Sequence, residues 1–159
     1  MKLCLVRHAS AAPRQRSVPD SGRPLTQNGR VRFRRAVAGL RRLGLRFDRV
    51  YHSPKLRAVE TADLLAPLLR GESVVTASLA HLPSASLVSE IRGESVALVG
   101  HDPWLAMLAA WLVTGDRRMA GRFPMKKGGV IVLEGDPRPG AMRLVAAYPP
   151  KALRRIARR

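Results

Sequence analysis

Cysteine, aromatic side chains and carboxylates are all scarce in this sequence of 159 residues. The single cysteine, Cys4, rules out an internal disulfide and any paired-cysteine metal site. No H-E-x-x-H pattern is present either, so no metal or other cofactor is expected. Aromatics make up only 4% of the chain, too few for a base-stacking platform. No apolar run approaches the roughly 18–20 residues that a membrane-crossing helix needs. The apolar run after Lys2 is too short for a signal peptide, so a cytoplasmic location is expected. Cys4 inside that run reads as a buried, inert thiol, consistent with a reducing compartment. The shortage of acids is the largest imbalance: 29 Lys+Arg stand against 11 Asp+Glu, a formal net charge of +18. Such a charge attracts phosphate-bearing or acidic partners. A hydrophobic content of 46% fits a globular chain, and residues 1–159 are expected to form one domain with a real core.

What the chain does have is a series of short apolar runs, each ending on polar residues. Leu3–Val6 reads as a buried strand running into Arg7 and His8. Residues 11–24 are a proline-containing loop that leaves this strand. Thr26 is placed to cap a helix carrying Phe33, Val37 and Leu40 on one face, with Gly44 as its stop. Between Ser21 and Phe47 there are eight arginines and no acid; most of these face water, with a docking surface as the alternative. Residues 48–53 read as a second strand. Pro54 suits the first turn of a following helix, and Gly71 is expected to close it. Residues 73–77 form a possible third strand, and a short helix follows from about Ser84 to Gly93. Val96–Val99 is a further strand ending at Gly100-His101. Asp102 is placed to cap the next helix, with Pro103 at its first position. Residues 129–133 and 142–148 are expected to pair as an antiparallel hairpin. The tail, 151–159, holds five basic residues and no acid. It reads either as a short amphipathic helix through Leu153 and Ile156 or as a frayed end. Alternation of strands and helices predicts a three-layer α/β/α sandwich with a mainly parallel sheet and an antiparallel edge strand.

Ligands of open α/β sheets bind beyond the carboxyl ends of the strands. Arg7 and His8 follow one strand, His101 follows another, and Arg57 lies in the first turn of the helix after Ser53-Pro54. Taken alone, Arg7-His8 could simply end a strand at the surface. If the strands are neighbours, two arginines and two histidines converge. That cluster repels itself and is relieved by a dianion; arginines grip phosphate oxygens with paired hydrogen bonds. His52 and His81 read as incidental.

These residues resemble the histidine phosphatase, or phosphoglycerate-mutase-like, superfamily. Leu5-Val6-Arg7-His8-Ala9 matches its first motif. Residues Ser53 to Ala62 match its S-P-x-x-R-A-x-x-T-A signature, and Val99-Gly100-His101 its third motif. Pro24-Leu25-Thr26 with Gly29 matches the usual start of the first helix. The resemblance implies metal-free phosphoryl transfer in two steps. His8 would be the nucleophile and become a transient phosphohistidine. Arg7, Arg57 and His101 would bind the phosphoryl oxygens. The chain is short, without room for the substrate-covering insert of larger members. Where they place a glutamate, residues 79–84 carry no carboxylate; Glu90, Glu94 and Asp102 are the nearest. Both departures resemble the short SixA-type branch, which acts on phosphohistidine in signalling proteins. The expected partner is therefore a phosphorylated protein or a small phosphoester, with inorganic phosphate as product and no membrane. A general phosphomonoesterase is the alternative within the enzyme class. A polyanion or nucleic-acid binding module without turnover is the alternative outside it, which the lack of a stacking pattern disfavours.

Overall fold

A computed structural model describes residues 1–158. Arg159, the last residue of the basic tail, lies outside the described residues. The chain runs β1 (Lys2–Arg7), α1 (Gln27–Arg42), β2 (Phe47–His52), α2 (Leu56–Leu64), β3 (Leu69–Val75), α3 (Ala85–Glu90), β4 (Ser95–Gly100), α4 (Trp104–Thr114), β5 (Val130–Gly135), β6 (Met142–Tyr148) and α5 (Pro150–Ile156). The sheet order is β3-β2-β4-β1-β5-β6. The pairs β3-β2, β2-β4 and β4-β1 are parallel. β5 then joins β1 antiparallel, and β6 closes that edge antiparallel to β5. Among the described residues no helix is long and apolar enough to cross a membrane.

The period of two in each strand divides the core between the two faces of the sheet. Cys4, Val6, Val50, Ala97, Val99, Val130 and Val132 face α1, α2 and α5. Leu3, Leu5, Tyr51, Val96, Leu98, Ile131 and Leu133 face α3 and α4. Both faces are covered, which is why the central strands are continuous apolar runs. Burial pushes the Cys4 thiol up to about 12, against a small opposing effect of Lys2. It is an inert packing group.

Local chemistry sets the ends of α1. The Thr26 side chain accepts from Gly29 N at 2.9 Å, and Gly44 follows the helix at φ 76°. A Cβ on Gly29 would stand 2.2 Å from Ser10 O, so glycine lets the loop after β1 lie directly on the helix. Gly39 does the same for α5: its Cβ would meet Leu153 O at 2.1 Å. The tail is thus a docked helix, anchored by the fully buried Leu153. Gly39→Ala must push the two helices apart and should cost about 1–3 kcal/mol, the range for overpacking. An unchanged urea midpoint in that variant would contradict this packing.

Three expectations fail locally. Pro54 precedes α2 rather than opening it; the helix starts at Leu56 with Lys55 as its cap residue. Gly71 does not close α2, which ends at Leu64 and passes through a 3-10 turn at Ala66–Leu68 containing Pro67. Gly71 lies within β3, where a Cβ would stand 2.3 Å from Asp48 O beside a register shift in β2. Asp102 does not cap α4. Pro103 occupies the cap position without a side-chain bond, and Asp102 turns instead toward Arg7.

Candidate active site

Register brings the motif residues together. β1 pairs with β4 so that Arg7 stands opposite Gly100, and His8 N extends the ladder by donating to Gly100 O at 3.1 Å. On the other side of β4, Ser53 N donates to Val99 O at 3.0 Å. His8, Ser53 and His101 therefore leave three adjacent strands at the same level. The His8 and His101 rings lie 5.2 Å apart between centroids, tilted by 54°. Arg57, in the first turn of α2, reaches over them. His8, Arg57 and His101 are only 6%, 4% and 5% exposed.

The surroundings fix the imidazole. His8 Nδ1 is 2.7 Å from Ala9 O. A carbonyl only accepts, so Nδ1 carries the proton and Nε2 carries the lone pair. Arg57 Nε donates to Nε2 at 3.3 Å, which fits that tautomer. Gly128 N donates to both Arg7 O and His8 O, at 3.0 and 3.1 Å. Thr61 Oγ1 donates to Arg57 O at 2.6 Å and accepts from Ala9 N at 3.1 Å, tying α2 to the residue after His8. His101 Nε2 is 2.8 Å from Ser53 Oγ. Arg7 Nη1 donates to Met125 O at 2.5 Å and lies 3.6 Å from Asp102 Oδ2. Two buried nitrogens at this centre, Arg7 Nε and His101 Nδ1, have no protein hydrogen-bond partner. A protonated nitrogen left in this state is free to donate to a bound oxygen atom.

Asp20 is the residue the sequence did not single out. It sits in a 3-10 turn (Asp20–Gly22) of the loop after β1. Its backbone carbonyl accepts from Arg57 Nη1 at 2.6 Å, and its Oδ2 from Arg57 Nη2 at 3.1 Å and Lys55 Nζ at 3.0 Å. The hydrogen bond from Lys55, then that from Arg57, hold its carboxyl far below the usual carboxylate range although burial opposes this. Asp20 is the sole carboxylate in residues 1–47. That was the available signal, but its contact with Arg57 spans 37 positions. His52 packs in the sheet with Nδ1 3.1 Å from its neighbour Ser53 O, and His81 is exposed; neither is a partner of His8 or His101.

Both central histidines are held neutral. Burial, then Arg57, Arg7 and Lys127, lowers His8 to about 4 against the bond to Ala9 O. Burial, then His8 and Arg57, lowers His101 to about 3. An unfolded histidine titrates near 6.5. Between that value and about 4 the unfolded chain binds protons that the folded site refuses, so stability falls as the pH is lowered through this window. The urea midpoint should drop between pH 6.5 and pH 4 in the wild type and drop less in His101→Gln. Equal slopes in the two proteins would refute neutral burial of His101.

Residues 3–82 match the family model of the histidine phosphatase superfamily (branch 1). An uncharacterised protein of Picosynechococcus sp. is 35% identical over 156 residues, covering 92% of this chain and 90% of that protein. Among solved structures, the protein histidine phosphatase SixA complexed with tungstate is similar with a TM-score of 0.78 at 25% identity, over 96% of this chain and 99% of that one. A phosphoserine phosphatase of Entamoeba histolytica, complexed with 3-phosphoglyceric acid, has a TM-score of 0.71 at 16% identity, over 96% of this chain and 98% of that one. That second likeness is one of fold alone.

Proposed function

Since the chain belongs to the histidine phosphatase superfamily, we propose that it is a metal-independent phosphatase that dephosphorylates phosphohistidine on proteins. The observation that carries the reading is the paired state of the carboxylates around a neutral, lone-pair-bearing His8. Asp20 is bound by Lys55 and Arg57 and stays ionised, so it has no proton to give. Asp102 faces Arg7. An alkoxide leaving group needs a proton donor, whereas an imidazole leaving group asks for far less help.

In the first step His8 Nε2 attacks phosphorus, the bond from phosphorus to the leaving nitrogen breaks, and the leaving imidazole takes up a proton from solvent. Arg57 Nε exchanges its bond to Nε2 for one to a phosphoryl oxygen. Arg7 and His101 hold the remaining oxygens through the nitrogens that have no protein partner. Positioning and charge stabilisation of this kind supply most of the catalysis in phosphoryl transfer. In the second step water attacks the phosphohistidine, inorganic phosphate leaves, and the His8 lone pair is restored.

One observation favours the second reading, a general phosphomonoesterase. The Asp102 side chain is partly exposed beside Arg7, where a proton donor for an ester oxygen could act. Initial rates on a phosphohistidine peptide, a phosphoserine peptide and an aryl phosphate separate the two. The first reading expects the phosphohistidine peptide to lead in kcat/KM by at least about tenfold, one such step being about 1.4 kcal/mol of barrier. A lead for the ester substrates that is lost in Asp102→Asn would establish the second.

A further inference from the structure

A basic groove runs from the reactive end of the sheet along the seam between α1 and α5. Its near part, about 130 Å³, is walled by Ser10, Lys127, Arg32 and Arg154. Its far part, about 330 Å³, is walled by Arg32, Arg35, Lys151, Arg154, Arg155 and Arg158. The two parts adjoin at Arg32 and Arg154, which line both. Ala9 and Ser10, directly after His8, form the groove's inner end.

The track has no counter-charge. Elsewhere several of the few acids pair with basic side chains: Asp20 with Arg57, Glu60 with Arg30, Asp116 with Arg118, Glu134 with Arg143. Among the described residues none of the seven basic side chains of the track makes an ion pair. They are held close together. Lys151, Arg154, Arg155 and Arg158 follow helical spacing along α5 and just past its end, and Arg32 and Arg35 do so on α1. The contact at Gly39 and Leu153 allows no slack between the helices. Burial, then the nearby charges of Arg32, Arg158 and Arg35, depresses Arg154.

We infer that this groove binds an acidic segment of the phosphoprotein substrate, lying beside its phosphohistidine. The inference rests on the phosphatase reading above. The groove begins at the residues next to His8: Gly128, in its lining, donates its N–H to His8 O, and Lys127 lies close enough to act on the His8 ring, so a protein carrying the phosphoryl group would pass over it. The far walls carry no aromatic side chain, so single-stranded nucleic acid would find charge but no stacking surface. Glutamates along one face of the partner would complement the charge of both rims and speed encounter.

Two synthetic phosphohistidine peptides test this, identical except that one is flanked by glutamates and the other by glutamines. At low salt the glutamate peptide should have a kcat/KM higher by about tenfold or more, falling toward parity at about 0.5 M NaCl, where the Debye length is a few ångströms. In R35E/R155E/R158E the preference should vanish, while hydrolysis of a small aryl phosphate stays within about twofold of wild type. Fluorescence anisotropy of the unphosphorylated glutamate peptide gives a readout independent of turnover. Its binding should be lost in the same variant. Equal kcat/KM and equal binding of the two peptides would overturn the inference, as would a preference that survives charge reversal. Tighter binding of duplex DNA than of the glutamate peptide, abolished by the same variant, would assign the groove to nucleic acid instead. If neither phosphopeptide is cleaved yet the glutamate peptide binds in a variant-sensitive way, the phosphatase reading fails and the groove's specificity stands.

Discussion

His8→Ala should reduce hydrolysis of every phosphorylated substrate by roughly 10⁴–10⁶-fold, the scale seen when a covalent nucleophile is removed. The variant should fold normally. The ladder contact from His8 N to Gly100 O is made by backbone and survives the change. The lost side chain is a buried imidazole held neutral at a desolvation cost, so the thermal midpoint should not fall below pH 6. A folded His8→Ala protein that retained more than a few per cent of activity would remove His8 from the chemistry.

Arg57→Ala should be the second most damaging change, lowering kcat by roughly 10²–10³-fold, as for other groups that stabilise transition-state charge. Arg57 touches His8 Nε2 and both kinds of oxygen on Asp20, so it links His8 to the loop after β1. Lysine cannot reproduce this fork, and Arg57→Lys should recover only a small part of the loss. Arg41→Ala, on the exposed side of α1, should stay within about twofold of wild type. Equal rates for Arg57→Ala and Arg41→Ala would reduce Arg57 to one more unit of surface charge.

The ends of β1 and β4 were legible because each is a short apolar run that stops at a histidine-bearing pair, Arg7-His8 and Gly100-His101. Burial on both faces of the sheet demands that pattern, and parallel pairing then sets the ends level. Thr26 was legible because its bond to Gly29 N is local. Asp102 misled for the opposite reason. Its position before Pro103 is that of a cap, but the guanidinium of Arg7, distant in sequence and near in space, draws it away from the helix. Gly71 misled because a glycine after an apolar helix reads as a stop. Here it serves the close approach of β3 to Asp48 O. Asp20 was illegible because no periodicity or cap links a proline-rich loop to a helix formed 37 residues later. Only the fold shows that the sole early carboxylate is set against the arginine of the second motif. The docked tail was half legible: Leu153 marked an apolar face, but only contact with Gly39 decides between a helix and a frayed end.

The proposed phosphoenzyme is the most direct object to measure. Wild-type protein mixed with excess ³²P-labelled substrate and quenched in alkali within the first turnover should carry up to one label per chain. The label should be stable to alkali, labile to acid, and confined to the peptide containing His8. Product release in the first turnover with no label on the protein, or a label on any other residue, would contradict a transient phosphohistidine at His8.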